Sequence, residues 1–295
     1  SPGTSATLDP TGDLPAGVVC TVTVLAAGIT DADTADPPDM MLANYVFTFS
    51  VPPDAVDDTY APPVIGNVGV NTDTSTNFSV LTNDEGPGLA ITAFDVTSAQ
   101  GGTVVLTTTT GMFTYTPPRG YEGSDSFTYT ISNATGSDVG TVNLTVSGMI
   151  WFVNASASAG GDGRLNTPYN LLSILNGVNN GTGNNPAAGD TIFLYGNATS
   201  YAGPITLLNN QKLVGQSAGV GLATLAGVTV PADSFVLPTM GGAAPSSNIT
   251  GAGITLGSNN TIRGLQVGDT DSNISLEGTN FGTLFVREMS ILGTG

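Results

Sequence analysis

Alternation of apolar and polar residues is clearest between Gly111 and Asn133, where two alternating runs flank a turn-rich centre. One face of each run carries only large apolar side chains: Phe113, Tyr115, Phe127, Tyr129 and Ile131. Period-two alternation of this kind is typical of a strand that is buried on one face. The residues between the runs do not fit inside a ladder, and we expect them to form the connection: Pro117, Pro118, Gly120 and Gly123.

The first part of the chain, as far as Asp58, shows shorter runs of the same kind. Residues 14–24 predict a turn followed by a strand, residues 29–34 predict a polar loop, and residues 45–50 predict a closing strand. Residues 51–58 carry two consecutive prolines, which favour extended geometry, and we expect an extended hinge there.

The pattern changes after residue 148. Residues 149–153 form one apolar run, and residues 188–195 predict a buried strand behind a turn. Leu171, Leu172 and Leu175 lie at helical spacing and predict the only convincing helix of the chain, with almost no helix elsewhere.

A repeat near the end predicts a solenoid. Residues 260–267 align with residues 282–291, with Thr261 opposite Thr283 at an offset of 22 residues. Self-similarity at a fixed period of this size is typical of solenoids. We expect the following residues to point inward: Ile262, Leu265, Val267, Ile274, Leu276, Leu284, Val286, Met289 and Ile291.

Residues 52–147 resemble a known family through motifs that follow one another in order. The motifs are Asp54-Ala-Val-Asp-Asp-Thr-Tyr60, Val80-Leu-Thr-Asn-Asp-Glu85, Gly101-Gly-Thr-Val104 and the alternating stretch 111–133. Together they resemble the cadherin-like/Ig-like tandem repeat of large bacterial surface proteins. The chain departs from that pattern at Asn133, where the family usually has Asp. Residues 1–50 resemble the second half of a bacterial Ig-like domain.

The chain after residue 148 resembles a second family. Its order of an apolar strand, a glycine-rich stretch, Asn166-Thr-Pro-Tyr169 and Gly189-Asp-Thr-Ile192 is similar to the entry of right-handed parallel β-helix proteins of the pectin-lyase-like kind. The resemblance implies that a short helix caps the open end of the solenoid.

These observations predict an all-β chain in which Ig-like β-sandwich domains are followed by a right-handed parallel β-helix. We expect a partial bacterial Ig-like domain at 1–51, a cadherin-like/Ig-like domain at 52–148 and the start of a parallel β-helix at 149–295. A half sandwich and an uncapped solenoid both expose apolar surface, so we expect the natural chain to extend beyond both ends.

Composition narrows the function classes. Lys and Arg number 5 against 23 Asp and Glu, which gives a net charge of -18, and only 9% of residues are charged, against about 25% in ordinary soluble domains. Nucleic acids and anionic membrane surfaces attract basic proteins, so neither is an expected partner. No apolar run is long enough for membrane insertion of this segment.

Cys20 is the single cysteine, which excludes an internal disulfide. Its position in a predicted strand is typical of a small core residue.

Acidic residues cluster around the predicted hinge. Calcium takes six to eight oxygen ligands, and clustered carboxylates supply them. The candidate calcium ligands are Asp54, Asp57, Asp58, Asp84 and Glu85. Members of the resembled family often bind calcium at such junctions. A solvated acidic linker explains the same residues, because no Asp-x-Asp-x-Asp-Gly loop is present.

Candidate catalytic groups are few. The chain has no His, which excludes Ser-His-Asp triads and His-based acid-base pairs. Lyases of the β-helix kind use a Lys or Arg base, and this region offers only Arg164, Lys212, Arg263 and Arg287. Asp269 and Asp271 are the nearest candidate for a paired-carboxylate hydrolase, and their polar neighbours favour a solvated turn. We therefore predict no catalytic residue.

The sequence predicts a structural or adhesive, non-catalytic section of a large secreted or cell-surface protein. Other surface proteins, glycans or copies of itself are the expected partners. Two alternatives stay open: a carbohydrate-active β-helix enzyme with its active turns beyond residue 295, and a self-assembling extracellular filament subunit. Nine Asn-x-Ser/Thr sequons, among them Asn77, Asn133, Asn197 and Asn273, matter only where the organism glycosylates its surface proteins.

Overall fold

Strands dominate the computed structural model, which describes residues 7–29, 41–74, 76–196, 200–241, 248–250, 253–268 and 276–292. The α-helices of these residues are two short ones, α1 (Leu172–Val178) and α2 (Leu222–Ala226). The all-β prediction is confirmed at this level. The predicted strand residue Ile274, the candidate pair Asp269 and Asp271, and the sequons at Asn197 and Asn273 lie outside the described residues, as does most of the predicted 29–34 loop.

The first half of the described chain contains ten strands. They are β1 (Val19–Val24), β2 (Tyr45–Ser50), β3 (Asp58–Thr59), β4 (Val64–Gly66), β5 (Val70–Asn71), β6 (Ala90–Phe94), β7 (Thr103–Leu106), β8 (Phe113–Thr116), β9 (Gly123–Asn133) and β10 (Gly136–Val153).

The second half contains nine strands within the described residues, most of them of two to four residues. They are β11 (Thr191–Leu194), β12 (Tyr201–Ala202), β13 (Ile205–Thr206), β14 (Lys212–Gly215), β15 (Asn248–Thr250), β16 (Ile254–Thr255), β17 (Thr261–Gly268), β18 (Leu276–Glu277) and β19 (Phe285–Leu292).

Two sheets form a β-sandwich between β3 and the first half of β10. One sheet joins β6, β9 and β10 in antiparallel order, with β3 and β4 parallel to β10. The other joins β5, β8 and β7. The predicted alternation is confirmed, because the apolar side of β8 and β9 lies in the core between the sheets. The predicted connection differs at one end, since Gly123 begins β9.

The strands β1 and β2 form a separate two-stranded antiparallel sheet. The register places Cys20 opposite Phe49 and Val22 opposite Phe47. Phe47 is 39% exposed, so this apolar face is only partly covered. The two strands agree with those predicted for residues 14–24 and 45–50.

Three parallel ladders follow the sandwich. The first joins the end of β10 to β11, β14, the start of β17 and β19. The second joins β12, β15 and the end of β17, and the third joins β13, β16 and β18. All three contribute to one apolar core, for example through Leu213, Ile249 and Ile254, and α1 adds Leu172 and Leu175.

The end of β10, where the first ladder begins, is buried on both faces. In β10, Trp151 and Val153 point into the core of the three ladders, whereas Ile150 and Phe152 belong to a second cluster on the other side. Parallel strands buried on both faces are apolar throughout rather than alternating. This explains the uninterrupted run at residues 149–153.

The repeat register differs from the prediction. Thr261 pairs with Phe285 rather than lying opposite Thr283. The Asn259 side-chain Oδ1 accepts a bond from the Thr283 backbone N at 3.0 Å, which places Thr283 at the corner before the strand. The predicted offset occurs instead in the third ladder, where Ile254 pairs with Leu276.

The predicted inward positions are buried for the inner turns only. Ile262, Leu265 and Val267 are fully buried, and Leu276, Leu284 and Met289 pack partly against the same core. Val286 and Ile291 are 40% and 55% exposed. Both lie in β19, the outermost strand of its ladder.

The helix prediction needs two corrections. Leu171 precedes α1 and is half exposed, so only Leu172 and Leu175 use the predicted helical spacing. The helix α2 was not predicted, because so short a segment cannot show a period. It ends at Gly227, whose φ of 77° is the left-handed conformation that glycine adopts without strain.

Candidate functional site

The candidate site is the acidic junction, which we define as Asp54, Asp57, Asp58, Asp84, Glu85 and the side chain of Tyr129. Tyr129 projects from β9 and is fully buried. Asp58 begins β3 and is 6% exposed. The sequence predicted the acidic members, whereas Tyr129 was predicted only as a core residue of a strand.

Four oxygen atoms surround the Tyr129 hydroxyl. They are Asp58 Oδ2 at 3.1 Å, Asp84 Oδ1 at 3.0 Å, the Val80 carbonyl at 2.9 Å and the Val56 carbonyl at 3.4 Å. A phenol carries one hydrogen and can donate it to only one of these acceptors at a time. Two carboxyl groups therefore meet at a point that supplies a single donor.

The pKa values of both carboxyl groups are raised above the ordinary value. Burial, with smaller contributions from the charges of Asp84 and Asp57, raises the pKa of Asp58 to about 7 against the opposing effect of the Tyr129 hydrogen bond. Burial also raises the pKa of Asp84, against the bonds it accepts from Val56 N and Tyr129. Asp84 Oδ2 is buried without a hydrogen-bond partner in the described part of the chain. The pair therefore favours holding a proton.

The other predicted ligands are directed elsewhere. Asp57 Oδ1 accepts a bond from the Thr141 backbone N at 2.8 Å. Asp54 and Glu85 pair through their backbones, with N to O distances of 3.0 and 2.9 Å. Within the described ranges, no group of three or more Asp, Glu, Cys or His side chains is placed to hold a metal ion. Among the five, only Asp58 and Asp84 direct their carboxyl groups at the same atom, the Tyr129 hydroxyl oxygen.

Asp138 is an acidic neighbour that clustering along the sequence does not select. Its Oδ2 accepts a bond from the Ala55 backbone N at 2.9 Å, and its charge helps to raise the pKa of Asp84. It lies in β10, far along the chain from Asp84, so only strand pairing reveals the proximity. Nothing in local spacing signals it.

The predicted hinge at residues 51–58 is a packed joint. Gly17 N donates to the Pro52 carbonyl at 2.8 Å, and Pro53 is buried. Asn133 Nδ2 donates to the carbonyls of Gly17 at 3.1 Å and Pro87 at 3.2 Å. Asn133 is the position where the chain departs from the resembled motif, and a carboxylate there has no hydrogen to donate.

Three of the four candidate basic groups of the second half make structural contacts through their side chains. Arg164 forms a salt bridge with Asp162, and Arg263 forms one with Glu288. Lys212 Nζ donates to the Ala226 carbonyl at 3.0 Å. The fourth, Arg287, pairs in register with Arg263.

A second buried carboxylate, Asp125, is fully hydrogen-bonded. It accepts bonds from the Tyr115 hydroxyl at 2.6 Å, the Ser98 hydroxyl at 2.5 Å and the backbone N of Gln100 and Ser126. Buried carboxylates with complete partners hold loops in place. We assign Asp125 to the structure of the sandwich rather than to a site.

The two facing sheets between β3 and the first half of β10 have the architecture of an immunoglobulin-like sandwich. Residues 50–145 match the family model of the bacterial Ig domain. That match is consistent with a bacterial surface or structural protein, and domains of this family are typically extracellular. No curated protein and no solved structure matches the chain. No helix of the described residues has the length and apolar character to cross a membrane.

Proposed function

We propose that the chain is a structural or adhesive, non-catalytic section of a large extracellular bacterial protein, in which a cadherin-like Ig domain leads into a right-handed parallel β-helix. The observation that carries the proposal is the order of parts: a sequence match to the bacterial Ig domain directly followed by three parallel ladders around one core. Stacked ladders build long, stiff shapes whose length grows by repetition.

The chemistry of the described side chains favours binding over catalysis. Among the cations of the second half, Arg164 and Arg263 have carboxylate partners, and the chain has no His. The buried acid pair Asp58 and Asp84 lies in the sandwich, away from the ladders that carry substrates in enzymes of the resembled kind. The expected ligands are glycans, other surface proteins or copies of the chain itself.

The function is tested by separating binding from turnover. The purified chain is applied to an array of bacterial and host glycans and matrix proteins, and the same ligands are incubated with it and analysed for new reducing ends or unsaturated sugars. We expect saturable binding, or concentration-dependent self-association in light scattering, without product. Accumulation of cleaved sugar would overturn the structural role in favour of the carbohydrate-active alternative.

We also propose that calcium binds at the acidic junction when Asp58 and Asp84 are both ionised. Their carboxylates, with the carbonyls of Val56 and Val80 and the Tyr129 hydroxyl, are hard oxygen donors of the kind calcium prefers. Asp57 and Asp54 lie near enough to add charge. A ligand that binds only the folded chain raises its melting temperature by mass action.

The calcium proposal predicts a higher melting temperature in millimolar calcium than in EDTA at pH 8, with the difference lost in the Asp84→Asn variant. Magnesium at the same concentration controls for ionic strength, because it demands a smaller octahedral site. Equal melting in calcium, magnesium and EDTA would leave the junction as a proton-holding pair only.

A further inference from the structure

The first ladder contains a long insertion between β14 and β17. Lys212 of β14 pairs with Thr191 of β11 before it and with Thr261 of β17 after it. The chain from Lys212 to Thr261 is more than twice as long as the chain from Thr191 to Lys212. The extra residues include α2 and residues 227–241, which leave the ladder and return towards the sandwich. Residues 231–235, here called the strap, reach the edge strand β5.

The strap pairs with the edge strand β5 of the Ig-like domain through one antiparallel β-bridge. Asn71 N donates to the Asp233 carbonyl at 2.7 Å, and Phe235 N donates to the Gly69 carbonyl at 3.1 Å. Val70 and Ser234 form an antiparallel bridge between them. Addition of a strand to an open sheet edge is a recurring mode of peptide recognition, in which the backbone gives affinity and alternate side chains give specificity.

Asp233 is the polar anchor of the strap. Its side chain is fully buried. Oδ1 accepts a bond from Thr76 N at 2.9 Å, and Oδ2 accepts bonds from the Thr76 hydroxyl and, at 3.4 Å, from the Tyr60 hydroxyl. A buried carboxylate is tolerated only with such donors, so the Ig-like domain presents a site shaped for this residue.

Phe235 is the apolar anchor. A Cβ added at Gly69 would lie 3.0 Å from the Phe235 ring, so there is no room for a side chain at this position. Gly69 also has a φ of 101°, a backbone conformation that residues with a Cβ rarely adopt. Phe235 packs against a cluster that contains Ile65 and Val68 of the sandwich together with Phe193 and Val214 of the first ladder. The strap therefore closes a core that both regions share.

A second contact between the Ig-like domain and the ladders comes from the loop after β8. Arg119 follows β8, and its guanidinium donates to the Tyr169 hydroxyl at 2.9 Å and to Asn185 Oδ1 at 2.9 Å. Its central carbon lies 5.1 Å from the Trp151 ring centroid. This contact, the shared strand β10 and the strap are three separate connections.

We propose that the strap is an intramolecular strand ligand that clamps the Ig-like domain to the ladders, so that the two regions unfold as one cooperative unit and transmit force as one body. This goes beyond a surface role for either region. It makes Asp233 a positioning residue whose effect reaches both sides of the junction.

The test is hydrogen exchange of the full chain measured by mass spectrometry along a guanidinium series. It compares peptides from β9 in the sandwich with peptides from β14 in the first ladder. We expect one common midpoint in the native chain. Asp233→Ala leaves Thr76 and Tyr60 without an acceptor, which should lower the melting temperature by about 5 °C and split the two midpoints. Val236→Ala is the matched control, since Val236 neighbours the strap and is 87% exposed.

Two results would overturn the proposal: separate midpoints for β9 and β14 in the native chain, or equal behaviour of Asp233→Ala and Val236→Ala. If Asp233→Ala does not fold, Thr76→Val decides the matter, because it removes one donor and keeps the branched shape of the side chain. A Thr76→Val chain with a smaller but measurable split supports the clamp, and one identical to the native chain refutes it.

Discussion

At the residue scale, the acidic junction depends on one hydrogen atom shared among several oxygens. The Tyr129 hydroxyl lies within 3.1 Å of both Asp58 and Asp84, and the neighbouring acids add charge without adding donors. A carboxyl group with a pKa of about 7 in the folded chain and 3.8 as its ordinary value takes up a proton on folding at any pH between these two values. This group links the stability of the sandwich to pH.

The sign of the linkage follows from proton counting. Between pH 4 and pH 7 the folded chain holds a proton at Asp58 that the unfolded chain has released, so the free energy of unfolding falls as the pH rises. We expect the native chain to lose about 2–4 kcal/mol over this range from Asp58. The Asp58→Asn variant should lack that loss.

Guanidinium unfolding at pH 5 and pH 8 measures the difference. Asp73→Asn, an exposed site in the same domain, is the control and should keep the native pH dependence. If Asp58→Asn loses as much stability at pH 8 as the native chain does, the proton is held elsewhere.

Asn133 gives a second prediction at this scale. Asn133→Asp keeps the oxygen that accepts bonds from Thr135 but removes both donations, to Gly17 and Pro87. The two-stranded sheet β1–β2 should then loosen against the sandwich, with faster hydrogen exchange at Gly17, whose N–H donates to the Pro52 carbonyl. Exchange in β9 should stay unchanged, and so should the exposed control Asn166→Asp. Unchanged exchange at Gly17 would show that backbone bonds alone hold the joint.

At the element scale, the close stacking of the ladders depends on glycine. A Cβ at Gly215, the last residue of β14, would lie 2.0 Å from the Gly264 carbonyl oxygen in β17. Gly264 itself has a φ of 64° where β17 passes from the first ladder to the second. Gly215→Ala should therefore cost about 3 kcal/mol or prevent folding.

Gly177→Ala is the contrasting change. Gly177 lies inside α1 with nothing within 4 Å of an added Cβ. Alanine in a helix interior is favoured over glycine by about 1 kcal/mol, so the variant should melt at a higher temperature. Thermal melts measure the change in melting temperature of both variants. An equal change in the two would mean that the ladder strands shift to make room for a side chain at position 215.

The elements differ in how far the sequence predicts them. Strands β8 and β9 were predictable because one face is buried and the period is visible in the residues. The third ladder was not, because two-residue strands such as β13 and β16 carry no period. The strap was equally hidden, since Asp233 and Phe235 have no regular structure and gain their role from partners far earlier in the chain.

The same limit applies to the candidate site. Clustering along the chain selected Asp58 and Asp84, which do meet. It also selected Asp54 and Glu85, whose backbones pair instead. Clustering missed Asp138 and the role of Tyr129, because strand pairing rather than spacing brings them to the junction.

At the scale of the whole molecule, charge is strongly one-sided. A net charge of -18 places repulsion across the surface, and screening by salt weakens repulsion between exposed charges beyond about 10 Å at 0.1 M. We expect the melting temperature to rise between 10 mM and 150 mM sodium chloride. Calorimetry with sodium and with potassium salts separates screening from specific cation binding, because screening is equal for both. A melting temperature that falls with salt would show that attractive pairs dominate.

The strand β10 has a consequence for how such proteins diversify. Its first part, as far as Val146, pairs with β9, and its last four residues pair with β11, so the sequence boundary at residue 148 falls inside one continuous strand. A recombination event that joins genes at this point would give each new protein only one half of β10. That half would continue into a strand that does not fit the neighbouring sheet. Exchange of modules is easier before Pro52, where the connection consists of a few hydrogen bonds. We therefore expect natural shuffling to move the Ig-like domain and the ladders as a pair.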